Sequence, residues 1–406
     1  MKKLASFVWP NVVAMALGFS ANLANAQVAG LTPIGADSRS GTSSAVMVDR
    51  VPLVYSSQLM AASSDDLLKG LNSEQQTEAV LHQIDAALRL RGASLQTTAR
   101  VNVYFANADV GDSVRRVLAT RFAKETHPAV SVVQSRLPLK HSLVAMDAVA
   151  IAVSSQLPTL LRDEKLSGHP RINHAATLKP GPRVYISGQA ENGANLAEAT
   201  TKTMEGLKGT LKHLGTDLSR VVQIKCFLTP MSDVRAAEDA IVACFEGFAP
   251  PCVFVEWESS LPNEIELIAS LPDAVNEKSG SPREPIEFIT PPGMSASPVF
   301  CRVVRVNDPR TIFVSGLVSR QAADGAGQVT DVFAQLEEIL KASGSDQRHL
   351  AKATYYVSDN EVGTKLTELR PKFYDPKRPP AASKAQVFGV GVRERSLSID
   401  MIAVPR

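Results

Sequence analysis

Val184-Tyr185-Ile186-Ser187-Gly188-Gln189 is an apolar run that ends on small polar residues, and it does not stand alone. Val54-Tyr55-Ser56-Ser57-Gln58 precedes it and Ile312-Phe313-Val314-Ser315-Gly316 follows it, with Ser187 and Ser315 128 residues apart. Recurrence at a fixed spacing decides the fold before any single segment does, because each copy must be one structural unit. Outward from each run a helix comes next, with apolar positions three and four apart: Val80, Ile84 and Leu88, then Met204, Leu207, Leu211 and Leu214, then Val332, Leu336 and Leu340. Gly92, Gly215 and Gly344 follow these helices, where a left-handed residue is needed to close the last turn.

Beyond each glycine the pattern continues with an alternating strand: Val101 to Phe105, Ile224 to Leu228 and Ala353 to Val357. Second helices are expected over Asp112 to Phe122, Ser232 to Phe245 and Asn360 to Phe373. Closing strands are expected over Val130 to Gln134 and Leu143 to Val153, Val253 to Trp257 and Glu264 to Leu271, and Gln386 to Val392 and Ser396 to Val404. The chain thus reads as an α+β protein with one β-β-α-β-α-β-β unit used three times. The units are expected over 44–153, 170–272 and 296–406, the first being the most diverged. Ser154 to Gly181 and Pro272 to Ser297 read as linkers, and residues 27 to 43 as a flexible lead-in. Helices cover one face of each sheet. Tyr104, Phe227 and Tyr356 on the other face predict burial against a neighbouring sheet.

Lys2-Lys3, the mostly apolar stretch Leu4 to Phe19, and Ala24-Asn25-Ala26 have the order of an export signal, with cleavage expected after Ala26. About 127 residues per unit then remain. Removing Lys2 and Lys3 turns 43 basic against 41 acidic residues into an even balance, which with 5% aromatics argues against nucleic-acid binding. No apolar run reaches the ~20 residues of a membrane-spanning helix. Four cysteines, Cys226, Cys244, Cys252 and Cys301, are too few for a disulfide scaffold, but export would allow them to pair in a pattern the sequence leaves open.

These residues resemble the RidA/YjgF family of enamine/imine deaminases. The second copy is closest, through Val184 to Gln189, Gly215, Val221 to Ser232, Pro250 to Glu256, Leu261-Pro262 and Ile265 to Ala269; Ser297-Pro298, Arg302 to Val306 and Ser315-Gly316 carry the third. The resemblance implies chorismate-mutase-like domains with sheets inside, helices outside and ligand clefts between neighbours. Tandem units then imply a single chain acting as its own trimer, since linkage makes association intramolecular. It also implies hydrolysis of small imines or enamines, with an arginine clamping the substrate carboxylate and a carboxylate handling water and proton.

The arginine's "P-A-R-S" stretch here reads Pro128-Ala129-Val130-Ser131, Pro250-Pro251-Cys252-Val253 and Pro380-Ala381-Ala382-Ser383, so no copy keeps it. The water-activating glutamate survives once, as Glu264; Ala145 and Ser398 take its place elsewhere. The expected catalytic residues are Glu264, Ser187 and Cys252 at one inter-unit cleft, although Glu264 could equally be a solvated strand-end carboxylate and Cys252 a small packing residue. Cys226 reads as core. Arg183 and Lys225 could supply positive charge, with surface exposure their default. His169 and His174 lie in a linker without acidic or cysteine ligands at metal spacing; neither metal nor cofactor is expected. His82 and His213 read as surface residues, and Gly389-Val390-Gly391, set within a strand, as a bulge or close approach. The competing reading is a non-catalytic ligand-binding or scaffold protein that kept the fold after losing the arginine.

Overall fold

The computed structural model describes residues 28–122, 126–152, 162–272, 284–321 and 324–406, so the expected export signal lies outside the described residues. The first unit runs β1 (Leu31–Asp37), β2 (Thr42–Val48), β3 (Leu53–Ser56), β4 (Leu59–Met60), α1 (Asp65–Leu68), α2 (Ser73–Arg89), β5 (Thr98–Phe105), α3 (Ala108–Phe122), β6 (Ala129–Gln134) and β7 (Val144–Ile151). The second runs β8 (Ala175–Leu178), β9 (Arg183–Gln189), α4 (Leu196–His213), β10 (Val221–Leu228), α5 (Val234–Ala243), β11 (Cys252–Glu256) and β12 (Asn263–Ser270). The third runs β13 (Ile286–Ile289), β14 (Val303–Val306), β15 (Thr311–Val318), α6 (Gly325–Ala342), β16 (Leu350–Val357), α7 (Asn360–Leu369), β17 (Ala381–Gln386) and β18 (Leu397–Ala403). The long first helices start on Asn72, Asn195 and Asp324, whose side chains accept the amide N–H three residues on.

In each unit the strand before the serine-bearing strand (β2, β8 and β14) does not pair with it. β2 pairs with β15 of the third unit, β8 with β3 of the first, and β14 with β9 of the second. The three exchanges close a cycle. Each connection that would otherwise be a hairpin contains proline (Pro52, Pro180 and Pro182, or Pro309), which cannot donate to a ladder and fits poorly in a tight two-residue turn. Arg183 fastens one such crossing: its guanidinium donates to the carbonyls of Asp308 and Arg310 and to Thr311 Oγ1 at 2.7–2.8 Å. The resulting sheets follow the order β17-β16-β18-β15-β2-β6-β5-β7-β3-β8, with β1 on β2 and β4 on β7, and β11-β10-β12-β9-β14-β13.

The strand periodicity places Tyr104, Phe227 and Tyr356 on the inner faces, where they meet Trp257, Val133 and Val387 from all three units. Below them the shared interior is charged. Arg100 pairs with Asp400 at 2.5 Å and Lys352 with Glu266 at 2.7 Å, each pair joining two units. Lys225 Nζ donates to Tyr356 at 3.2 Å, and Asp147 accepts from Asn102 and Tyr104 at 2.8 and 3.0 Å. Burial raises the Asp147 pKa against the opposing pull of Lys225, Asn102 and Tyr104. Burial alone would also raise Asp400, but Arg100, Lys225 and Lys352 outweigh it and hold that carboxyl low. Three cations and three carboxylates, one of each per unit, therefore lie where the units meet.

Several sequence expectations change. Residues 31–37 of the supposed lead-in form β1, which pairs with β2, and the supposed linkers contain β8, which pairs with β3 of the first unit, and β13, which pairs with β14. In the third unit the strand is Ala381–Gln386 and not 386–392; residues 387–391 form a loop against the first unit, with Gln134 N–H donating to Gly389 C=O. Gly391, at φ +83°, approaches so closely that a Cβ there would meet Val132 at 2.4 Å. Arg183 and Lys225 are buried rather than exposed. His169 and His174 are also buried, with His174 Nδ1 accepting from Asp163 N–H and His169 Nε2 beside Asp239. All four cysteines are free thiols.

Candidate functional site

Ser187 lies two residues before the end of β9, with its hydroxyl donating to Cys301 C=O and accepting from Ala382 N–H at 2.8 Å, both of the third unit. Ser57 does the same toward Asn173 and Cys252 of the second unit, and Ser315 toward Ser43 and Val130 of the first. This serine therefore stitches each junction between units, and its proton and lone pair are engaged by main-chain groups. What differs between the junctions is the next residue.

At the junction of the second and third units that residue is Gly188, and Glu264 of β12 lies directly over it. A Cβ on Gly188 would fall 2.0 Å from Glu264 Oε1, so only glycine leaves room for this carboxylate. The same place holds a cavity of about 640 Å³ lined by Gly188, Glu264, Arg302, Arg370, Ser383 and Lys384 among others. Burial pushes the Glu264 pKa up to about 7, with Ser383 and Arg302 pulling the other way and Glu266 adding to the rise. Arg302 stands immediately before β14, and it reaches this cavity only because that strand crosses to the second unit. Its guanidinium lies 4.9 Å from the Phe300 ring centre.

At the junction of the first and second units Gln58 replaces the glycine. Its amide donates to Phe254 C=O at 3.0 Å and accepts from Phe254 N–H at 3.2 Å, pairing with the edge of β11 as another strand would. About 40 Å³ of space is left there, bordered by Cys252, His174 and Glu238. At the third junction Gly316 packs onto Ser131, and Ser398 offers no carboxylate. In the open cleft, Lys384 holds the position of Phe254. It lies two residues beyond Ala382 on the same strand edge, so its main-chain N–H and C=O face the cavity.

Of the residues singled out from sequence, Glu264 and Ser187 come together, whereas Cys252 lies at the neighbouring junction. Its thiol is 2% exposed, contacts Pro250 C=O at 3.3 Å, and is driven to a high pKa by burial, with Glu238 and Cys226 adding to the rise. Arg302, Arg370 and Lys384 escaped the sequence reading. Aligning the copies on their leading strands would have flagged Arg302 against Ser44 and His174, but not the cleft it enters.

The family model for endoribonuclease L-PSP matches residues 38–152, 169–271 and 294–405. A YjgF-family protein from Neisseria meningitidis is 27% identical over 30% of this chain and 95% of its own, with a TM-score of 0.23. RidA from an Antarctic Psychrobacter is 20% identical over 23% of this chain and 79% of its own, at 0.21. A YjgF-family member from Mycobacterium tuberculosis is 20% identical over 23% and 77%, also at 0.21. No curated protein matches the chain. Three successive matches, spanning most of the sequence, establish that this chain belongs to the endoribonuclease L-PSP family, that of YjgF and RidA, and carries its domain three times in tandem.

Proposed function

We propose that this protein is an exported, single-chain three-unit ring that hydrolyses small imines or enamines at the cleft between its second and third units. The observation that carries the reading is Glu264, with a pKa near neutrality, over Gly188 in an open cavity with Arg302 nearby. Arg302 takes the substrate carboxylate in place of the arginine missing from the "P-A-R-S" position. The Lys384 main-chain N–H and C=O suit a ligand with adjacent acceptor and donor, as an imino acid has and as the Gln58 amide has at the sealed junction. Glu264, ionised, accepts a proton from water as the water oxygen bonds to the C=N carbon. It returns that proton to the nitrogen to give a carbinolamine, whose hydroxyl proton then passes through the same carboxylate to the nitrogen as the C=O bond forms and the C–N bond breaks, so that ammonia and a carbonyl compound leave. Water is consumed and ammonia released one for one. Ser187 holds the two units in register around this centre.

Ammonia release from freshly generated 2-aminoacrylate tests the reading. We expect turnover above the uncatalysed rate, and Arg302→Gln to raise KM about tenfold with a smaller change in kcat, the cost of losing one charge-assisted carboxylate contact. No acceleration over buffer would favour the alternative, a ligand-binding scaffold, which the sealed first junction also suits. The even charge balance weighs against a ribonuclease.

For assembly and export, size exclusion with light scattering on secreted or periplasmic protein should give the mass of one chain, beginning at Gln27 by intact mass. A stable multiple of that mass, needed to complete each ring, would overturn the internal-trimer reading.

A further inference from the structure

The cleft holds more positive charge than the hydrolysis uses. Arg302 neighbours Glu264, but Arg370 and Lys384 also line the cavity. Arg370 comes from the short turn Arg370–Lys372 after α7. It is 6% exposed, its guanidinium lies 4.7 Å from the Tyr355 ring centre, and its Nε has no hydrogen-bond partner. Lys384 neighbours Ser383 on β17, and successive strand side chains point to opposite faces. Ser383 accordingly donates to Glu266 at 2.9 Å, while Lys384 Nζ turns toward α7, 3.3 Å from Thr367 Oγ1. Burial and the charge of Arg370 both lower the Lys384 pKa. Among the described residues none of the three cations is ion-paired. A buried guanidinium with an unmet donor is costly unless an anion meets it.

We propose that Arg370 and Lys384 form a second anion subsite, so that the cleft selects small dicarboxylates, one carboxylate at Arg302 beside Glu264 and the other at these two cations. The substrate class becomes an imino or enamino dicarboxylic acid rather than a monocarboxylic one. A cavity of about 640 Å³ accommodates a five-carbon diacid. The proposal rests on the deaminase reading only for the placement of the first carboxylate.

Isothermal titration of the full mature chain with glutarate and with glutaramate, which replaces one carboxylate by a neutral amide of the same shape, tests it without turnover. Glutarate should bind at least about tenfold tighter at low salt, the effect of one added charge-assisted contact. Arg370→Gln should erase that preference by weakening glutarate far more than glutaramate. Lys384→Met, at an exposed side chain, should reduce the preference and provides the same reading if Arg370→Gln does not fold. Equal affinities for the two ligands in the unaltered protein, or a preference that survives both substitutions, would overturn the subsite. Ammonia release without glutarate preference would sink this proposal alone; preference without ammonia release would sink the hydrolysis alone.

Discussion

Glu264→Gln is expected to lower ammonia release by roughly 10²–10⁴-fold, the usual contribution of a positioned general acid/base, while ligand affinity changes little. Glutamine keeps the shape over Gly188 but can neither take nor return a proton. With a Glu264 pKa of about 7, kcat of the unaltered protein should rise with pH through neutrality as the carboxylate ionises, and the residual activity of the variant should lack that limb. Stability should move in the opposite direction. Glu264 has a folded pKa raised above its unfolded value of ~4.3, so the favourable contribution of its protonated form is complete below that value and is lost as pH climbs through about 7. Glutamine escapes the loss. The variant should therefore be the more stable protein at pH 8, by on the order of 1–2 kcal/mol after allowance for partial exposure, and nearly equal at pH 5. Denaturant midpoints at the two pH values measure this, and a variant less stable at pH 8 would show that Glu264 is a structural carboxylate.

Breaking the charged interior should cost more than any surface change. Arg100→Met leaves Asp400 buried without its 2.5 Å partner, and removing one member of a buried pair typically costs ~3–5 kcal/mol. Because Arg100 belongs to the first unit and Asp400 to the third, the loss should appear as loosening of the junction between them. Arg100→Met with Asp400→Leu should recover most of the stability, since a paired apolar replacement removes both desolvation penalties. Urea midpoints for the two single variants and the double variant give the coupling energy directly. Coupling below ~1 kcal/mol, the size expected of a solvent-exposed pair, would mean that these charges do not hold the units together.

The helices and most strands were legible because their signals are local. Val80, Ile84 and Leu88 repeat at helical spacing, and all three are buried against their own unit's sheet. Tyr104, Phe227 and Tyr356 declared an inward face by alternation alone. Glu264 could be found because a family motif survives around it. The linkers were misread for a related reason: Ala175–Leu178 earns its strand geometry from β3 of the first unit, more than a hundred positions away, and Ile286–Ile289 from β14 beyond an irregular stretch, so nothing within a few residues of either reveals its partner.

Charge was the property that sequence handled worst. Arg183 and Lys225 look like surface residues of amphipathic strands, yet each is buried, because three inward faces meet and bring polar groups from different units within bonding distance. The same holds for the site. The sequence by itself determined that there are three copies and that only one keeps the glutamate. Which junction stays open was decided by tertiary structure, where Gln58 seals one cleft and Gly188 leaves another to Glu264. So was the supply of cations, since Arg302 serves the second unit's carboxylate only after its strand has crossed between units. Periodicity records what a side chain does toward its own sheet; a cleft is made by the sheet next to it.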